Sequence, residues 1–507
     1  MPTSLSDLKD ALAPIEDLKS AAAVLSWDQE TYMPEGGAEA RARQIATLKT
    51  MAHERFITDE VGALLDRAET AVEAGDASAV EADLVRVTQR AYDRARKLPA
   101  SLVSAFSQAA SRGQTAWKQA RANDDFDHFA PHLKELVDLT VQKAEALGYD
   151  TERYDVLLDE YEPGMPTSTV VDTFADLREE LVPIVEAIAD QLAPNDAMLH
   201  GTFPADAQRA FGEQVIADFG YDFDCGRQDL SAHPFTTSFG IRDVRLTTRF
   251  DEAFLPSGLF STLHEAGHGL YEQGIAPELA RTPLAEGASL GIHESQSRLY
   301  ENMVGRSRPF WQHYYGDLQE VFPEALAGVP RADFYRAINR VEPSLIRVEA
   351  DEVTYNLHIM LRFELERALV QEDLAVDDLP AAWNDRMASY LGVTPNSDAN
   401  GVLQDVHWSF GAIGYFPTYA LGTLMSAQID DALRQDLPDL DAQMASGQFD
   451  ALLQWLRERI HQYGRRLDAP ELLKQATGQP LDAGPWLNYV QKKYSAIYPD
   501  LQAQRVL

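Results

Sequence analysis

Residues 264–268 read His-Glu-Ala-Gly-His, two imidazoles flanking a carboxylate. On a helix, His264 and His268 lie one turn apart and share a face, so two ring nitrogens can bind one metal ion. Glu265 then stands beside the open side of the metal as a general base. These residue types suit zinc-assisted hydrolysis. Imidazoles and a carboxylate make three protein ligands and leave a fourth position for water. Bound zinc lowers that water's pKa from about 15.7 to near 7. Glu265 can take the proton and later pass it to the leaving amine, a transfer that contributes about 10²–10⁴-fold in rate.

The third ligand must reach the metal from another element. Glu272 is poorly placed, being on the same helix beyond His268. Glu294, in the segment His-Glu-Ser-Gln at 293–296, is the better candidate, with Gln296 and Arg298 as outer partners. His293 then falls behind the ligands rather than among them. The metzincin pattern is excluded, because Tyr271 and Gly274 stand where it requires Gly and His.

The elements that carry these residues are helical by pattern. Pro256–Ser257 starts and Gly274 stops a helix over 257–273, and a second helix is predicted over 289–301. Helical spacing also recurs at Phe174, Leu177, Leu181, Ile184, Ile188 and Leu192, and at Leu452, Leu453, Leu456 and Ile460. Ala38 to Phe56 reads as a helix. Ser4 or Ser6 is suited to cap a first helix carrying Leu5, Leu8 and Leu12. One stretch differs. Over 243–250, Val244, Leu246, Thr248 and Phe250 alternate with Arg245, Thr247 and Arg249, the period of a strand. Gly240 suits a hairpin turn after Phe235–Phe239, and a free edge of this small sheet could pair with a peptide backbone. Loops are predicted at 194–206 and 395–401. No internal repeat or low-complexity linker occurs.

Composition narrows the setting. The length of 507 residues would permit about three domains, although large helical folds exceed that prior. The hydrophobic and charged fractions are those of a globular protein. A formal net charge of −36 argues against nucleic-acid and anionic-membrane partners. Most of the 44 basic residues are arginine, and an acidic, lysine-poor surface suggests adaptation to high salt. The single cysteine, Cys225, allows no intramolecular disulfide and no cysteine metal cluster, and reads as ordinary packing. The N-terminus has charges where a signal peptide needs an apolar core, and no apolar run reaches about 18 residues. A cytoplasmic location is expected.

Taken in order, SWDQETYMPEGG (26–37), HPF (233–235), DVRLT (243–247), HEAGH (264–268), HESQ (293–296), IRVEAD (346–351) and GVLQDVHW (401–408) resemble the motifs of the metallocarboxypeptidases typified by the thermostable Taq carboxypeptidase. The resemblance implies a mainly α, neurolysin-like fold: one large helical domain over 1–507 with a small β-sheet near 233–250. It further implies a deep substrate groove with a metal in its floor, and a helical lid over about the first 110 residues. It implies removal of C-terminal amino acids from peptides with broad side-chain tolerance, a homodimer, and one divalent metal per chain, zinc by default with cobalt or manganese as substitutes. Carried onto this chain, His264, His268 and Glu294 are the ligands of this HExxH gluzincin type and Glu265 is the base.

An exopeptidase must also find the free carboxylate of its substrate, and the planar fork of arginine suits both oxygens. By resemblance, Arg245 and Arg347 close one end of the groove and hold the C-terminus. The competing reading is an ion pair with Glu349 or Asp351 for Arg347, and a solvated strand face for Arg245. The run HWSFGAIGYFPTY resembles the donor loop of related helical peptidases, in which Tyr419 stabilises the oxyanion and His407 and Tyr415 contact the peptide. Gly411 and Gly414 would let that loop move. His233 either binds substrate or orients the hairpin. The rivals are an oligopeptidase that cuts internally and a non-catalytic peptide-binding protein.

Overall fold

The computed structural model describes residues 4–501. The fold is mainly helical with one three-stranded sheet, as expected. Contacts divide the chain into two compact units, each assembled from three stretches: 1–96, 196–338 and 429–479 in the first, and 97–195, 339–428 and 480–507 in the second. The division after residue 96 falls inside the stretch expected to form a lid.

In the first unit, helix Ser4–Thr31 buries Leu5, Leu8, Leu12 and Ile15, at steps of three and four residues. Ser6 lies inside that helix and so does not cap it, and what precedes Ser4 is outside the described residues. Helices Ala38–Phe56, Asp59–Glu73 and Ala79–Lys97 follow. Their buried residues share one apolar core with Ile275, Leu279 and Leu284, which lie just beyond the helix that carries HEAGH.

The sheet holds β1 (Gly226–Leu230), β2 (Phe235–Gly240) and β3 (Asp243–Thr248) in the order β1-β3-β2. β2 and β3 form the expected antiparallel hairpin, whereas β1 runs parallel to β3. β3 is therefore central, with both edges paired, and the outer strands are β1 and β2. β1 escaped sequence reading because Gly-Arg-Gln-Asp-Leu has no apolar alternation. Val244 and Leu246 are buried on one face of β3, and Arg245 points to the other.

Helix Leu255–Gln273 carries HEAGH, with Pro256 in its first turn and Gly274 after its last residue. Gly269 lets it lie close on the sheet: a Cβ there would stand 2.8 Å from Leu246 Cδ2. The next helix, Leu290–Arg298, is capped by Ser289, whose Oγ accepts from the Ile292 N–H at 3.0 Å. It continues as a π-helical segment, Leu299–Val304, where a plain α-helix was expected. The two helices touch at Gly267. A Cβ there would stand 2.6 Å from Ser297 Cα and would also press on the Gln296 carbonyl oxygen.

In the second unit, helices Ala100–Asn123 and Phe126–Leu147 are joined by a tight turn, with Asp124 left-handed and Asp125 capping the second helix. Helix Thr167–Ala189 buries Phe174, Leu177, Leu181, Val185 and Ile188. Leu192, expected on the same stripe, is 94% exposed, because the helix stops at Ala189 and the periodicity no longer applies. Helix Tyr355–Val370 is buried nearly all round and forms the centre of this unit. Among the described residues no helix is long and apolar enough to cross a membrane.

The contact at Gly267 yields a test. Alanine would gain about 1 kcal/mol of helix propensity, but its methyl group meets backbone that no rotamer change can clear, and overpacking of this kind costs about 1–3 kcal/mol or more. Gly267→Ala is expected to lower the thermal midpoint by several degrees, as read by calorimetry.

Candidate metal centre

His264, His268 and Glu294 converge. Both Nε2 atoms stand 3.5 Å from Glu294 Oε2, and one donor atom from each residue lies within 4.8 Å of the others. Both Nδ1 atoms are engaged elsewhere, which leaves the two Nε2 atoms for a common ligand. Two imidazole nitrogens and one carboxylate oxygen fit a divalent cation with an open position. The three residues sit where the Gly267 contact brings one turn of each helix together.

The partners behind the ligands differ on the two sides. His264 Nδ1 lies 2.9 Å from Glu301 Oε2, so the π-helical segment supplies its carboxylate. His268 Nδ1 lies 2.7 Å from His293 Nδ1, and His293 Nε2 lies 2.7 Å from Glu272 Oε1. If His268 keeps its Nε2 lone pair for a metal, its Nδ1 carries the proton and donates to His293. His293 must then be protonated at Nε2 and donate to Glu272. One proton arrangement satisfies the whole chain. Arg298 ties the carboxylates together, donating from Nε to Glu294 Oε1 at 2.7 Å and from Nη1 to Glu301 Oε2 at 3.1 Å. Of the outer partners expected from sequence, Arg298 takes that role and Gln296 does not: its amide oxygen pairs with buried His461.

Burial raises the Glu294 carboxyl, but Arg298 and the two histidines outweigh it and hold the group well below the usual carboxylate range. Burial pushes His268 down to about 3. Burial also disfavours a charged His264, but Glu294 and Glu301 outweigh it and raise that group.

Glu265 is buried beside the triad. Its Oε2 lies 2.7 Å from the Thr236 hydroxyl on β2, and Oε1 has no hydrogen-bond partner among the described residues. Burial pushes its carboxyl up, against the pull of His264 and Thr236. Sequence reading missed Thr236, whose only signal is its place directly after the HPF motif. His233 is exposed and its side chain makes no hydrogen bond among the described residues. Arg245 does not lie on a solvated face. Its Nε and Nη2 clamp Asp243 at 2.8 and 2.9 Å, and its guanidinium lies over the rings of Trp27 and Phe239.

In the second unit, Arg347 is buried, but its partner is neither Glu349 nor Asp351. Its Nε and Nη2 donate to Asp405 Oδ1 at 3.0 and 2.8 Å, and Nη1 donates to the Tyr355 hydroxyl at 3.0 Å. The Asp351 carboxylate is taken by Thr354 and by the backbone of Glu342, Val353 and Thr354. Fully buried Arg362 donates to Asp405 Oδ2 at 2.7 Å, so one carboxylate bridges two guanidiniums. Asp405 lies in the GVLQDVHW motif but was not singled out, because an aspartate's partner cannot be read from spacing. The His407 ring lies against Tyr415, Phe416 and Tyr419, and burial pushes it down to about 4.

The loop after His407 is held rather than free. Gly414 has φ 94°, its N–H donates to Glu366 Oε2 at 3.0 Å, and a Cβ would stand 2.6 Å from the Leu157 carbonyl oxygen. Glu366 also accepts from Trp408 Nε1 at 2.8 Å and from the Tyr154 hydroxyl at 2.7 Å. Gly411, like Gly414, has positive φ and packs closely, with a Cβ there standing 2.4 Å from Phe106 Cζ.

Two outcomes are expected here. Glu301→Gln keeps an acceptor for His264 but removes its charge, and should weaken metal binding about tenfold or more in a chelator-competition titration. Burial pushes Glu366 up to about 7. Its stabilising contribution is present below about pH 4.3, the unfolded value, and is lost as pH rises through the folded value, by roughly 4 kcal/mol at most. Glu366→Gln should flatten that decline, as read from urea midpoints between pH 5 and 7.5.

Comparisons with known proteins identify the family of this chain. The profile described as "Carboxypeptidase Taq (M32) metallopeptidase" matches residues 7–494. The chain is 44% identical over 492 residues to thermostable carboxypeptidase 1 of Thermus thermophilus, covering 95% of this chain and 96% of that one. It is 39% identical to carboxypeptidase 1 of Bacillus subtilis, covering 96% and 97%. The crystal structure of an M32 carboxypeptidase from Deinococcus radiodurans superposes with a TM-score of 0.95 at 44% identity, covering 98% and 99%. A helical chain matched over nearly its whole length, in which His264, His268 and Glu294 could hold a metal ion, belongs to the Taq-type (M32) metallocarboxypeptidase family.

Proposed function

We propose that this metallocarboxypeptidase releases C-terminal amino acids from peptides with broad tolerance, using zinc held by His264, His268 and Glu294 and Glu265 as general base. The convergence of two Nε2 atoms on Glu294 Oε2, with Glu265 beside them, carries this reading. A bound divalent ion would polarise the scissile carbonyl and acidify water. Thr236 orients the Glu265 carboxylate through Oε2, so Oε1 takes the proton of the attacking water. Burial favours the protonated form that results, and Glu265 then gives the proton to the leaving amine nitrogen.

Arg245 and Arg347 recognise the terminal carboxylate of the peptide. Arg245 clamps Asp243 with one edge, and its Nη1 has no partner among the described residues. In the Arg347 cluster, one carboxylate between two guanidiniums leaves a positive charge suited to an anion. Tyr419 supports the developing oxyanion, while His407, Tyr415 and His233 contact the peptide. His407 stays a neutral hydrogen-bonding group near neutral pH. A homodimer and a cytoplasmic setting complete the reading, on the family resemblance and the single cysteine.

The test is a mass-spectrometric time course on an unmodified peptide, with and without a chelator. Stepwise C-terminal loss is expected, stopped by the chelator and restored by zinc or cobalt, and abolished by amidation of the peptide C-terminus. Internal cleavage would overturn the roles of Arg245 and Arg347. Glu265→Gln should lower turnover at least about 100-fold with metal content unchanged; near-normal turnover would overturn its role as base.

A further inference from the structure

The N-terminal motif at 26–37 takes no part in the metal chemistry, yet it reaches Arg245. Trp27 lies near the end of helix Ser4–Thr31 and is 7% exposed. Arg245 Cζ stands 4.4 Å from the Trp27 ring centroid and 4.8 Å from that of Phe239. The two rings meet at 75° with centroids 6.3 Å apart, so they form the walls of a corner rather than parallel plates. Phe239 is the residue skipped in the β2–β3 register between Ser238 and Gly240. Irregularities of this kind re-aim a side chain. Asp243 closes the third side by binding Nε and Nη2. The outer end of the guanidinium, with Nη1, is what remains for a ligand.

We propose that Trp27 is a positioning residue for peptide recognition: with Phe239, it holds the Arg245 guanidinium so that its outer end, with Nη1, meets the terminal carboxylate of the substrate. The inference rests on the reading of Arg245 as a carboxylate-binding group. An unrestrained arginine would lose rotamer freedom on binding; here that freedom is lost on folding, so affinity is gained without a further contact. The aromatic faces also attract the cation itself, more strongly away from water. The N-terminal helix, which is distant in sequence from every catalytic motif, thereby becomes part of substrate recognition.

The experiment is a double-mutant cycle in the metal-loaded full chain, reading kcat/KM on a peptide with a free C-terminus. Trp27→Leu and Phe239→Leu are each expected to lower kcat/KM about three- to thirtyfold. Trp27→Phe, which keeps a ring, should stay within about threefold of the parent. In an Arg245→Lys background, Trp27→Leu should cost much less than it does alone, because the group that it positions is gone. Should Trp27→Leu fail to fold, Phe239→Leu in the same cycle decides. If Arg245→Lys leaves kcat/KM unchanged, the carboxylate reading fails and takes this proposal with it. If Arg245→Lys lowers kcat/KM but the ring deletions do not, or if their penalty persists undiminished in the Arg245→Lys background, the positioning role is overturned and the reading of Arg245 stands.

Discussion

Helix Leu255–Gln273 and helix Leu290–Arg298 approach so closely at Gly267 that a methyl group would meet the backbone of Gln296 and Ser297. That contact brings Glu294 within 3.5 Å of both histidine Nε2 atoms. Two imidazoles one turn apart on a single helix cannot complete a metal site alone, because the third donor must come from another direction. The side chain between the helices must therefore be absent, and glycine meets that need. Gly267 inside HEAGH thus shapes the site through the side chain that it lacks.

Charge then has to be managed in a buried place. Glu294, Glu301 and Glu265 lie close together, and burial alone would protonate them. Arg298 binds Glu294 and Glu301 and keeps both ionised. Glu265 has no arginine, so burial prevails and its carboxyl is raised. Neighbouring carboxylates thereby differ, one kept ionised and so able to bind a cation, the other a group that can hold a proton. In the second unit the pattern is inverted. Asp405 serves two guanidiniums, while Glu366 is satisfied by neutral donors and is raised by burial.

Much was legible before any coordinates. Local spacing exposed the HEAGH helix, its stop at Gly274, the β2–β3 hairpin and the helix over Ala38–Phe56, since each depends on periodicity within a few turns. Glu294 was reachable because a metal bound by two histidines of one helix needs its third donor from another element. Glu301 was not singled out, because its contact depends on a π-helical segment that no periodicity predicts. Thr236 and Asp405 were also missed, since each meets its partner across the fold rather than along the chain.

Residue type and spacing in the sequence were enough to expose a two-histidine face with a carboxylate between the histidines, while Arg245 and Arg347 stood out only by resemblance to the family's motifs. Only the tertiary structure decided which carboxylates stay charged, which arginine nitrogens are left open, and that Trp27 stands against Arg245. The reason is physical. Spacing along a helix or strand is set by local dihedral angles, whereas desolvation and ion pairing depend on which distant groups share one buried volume.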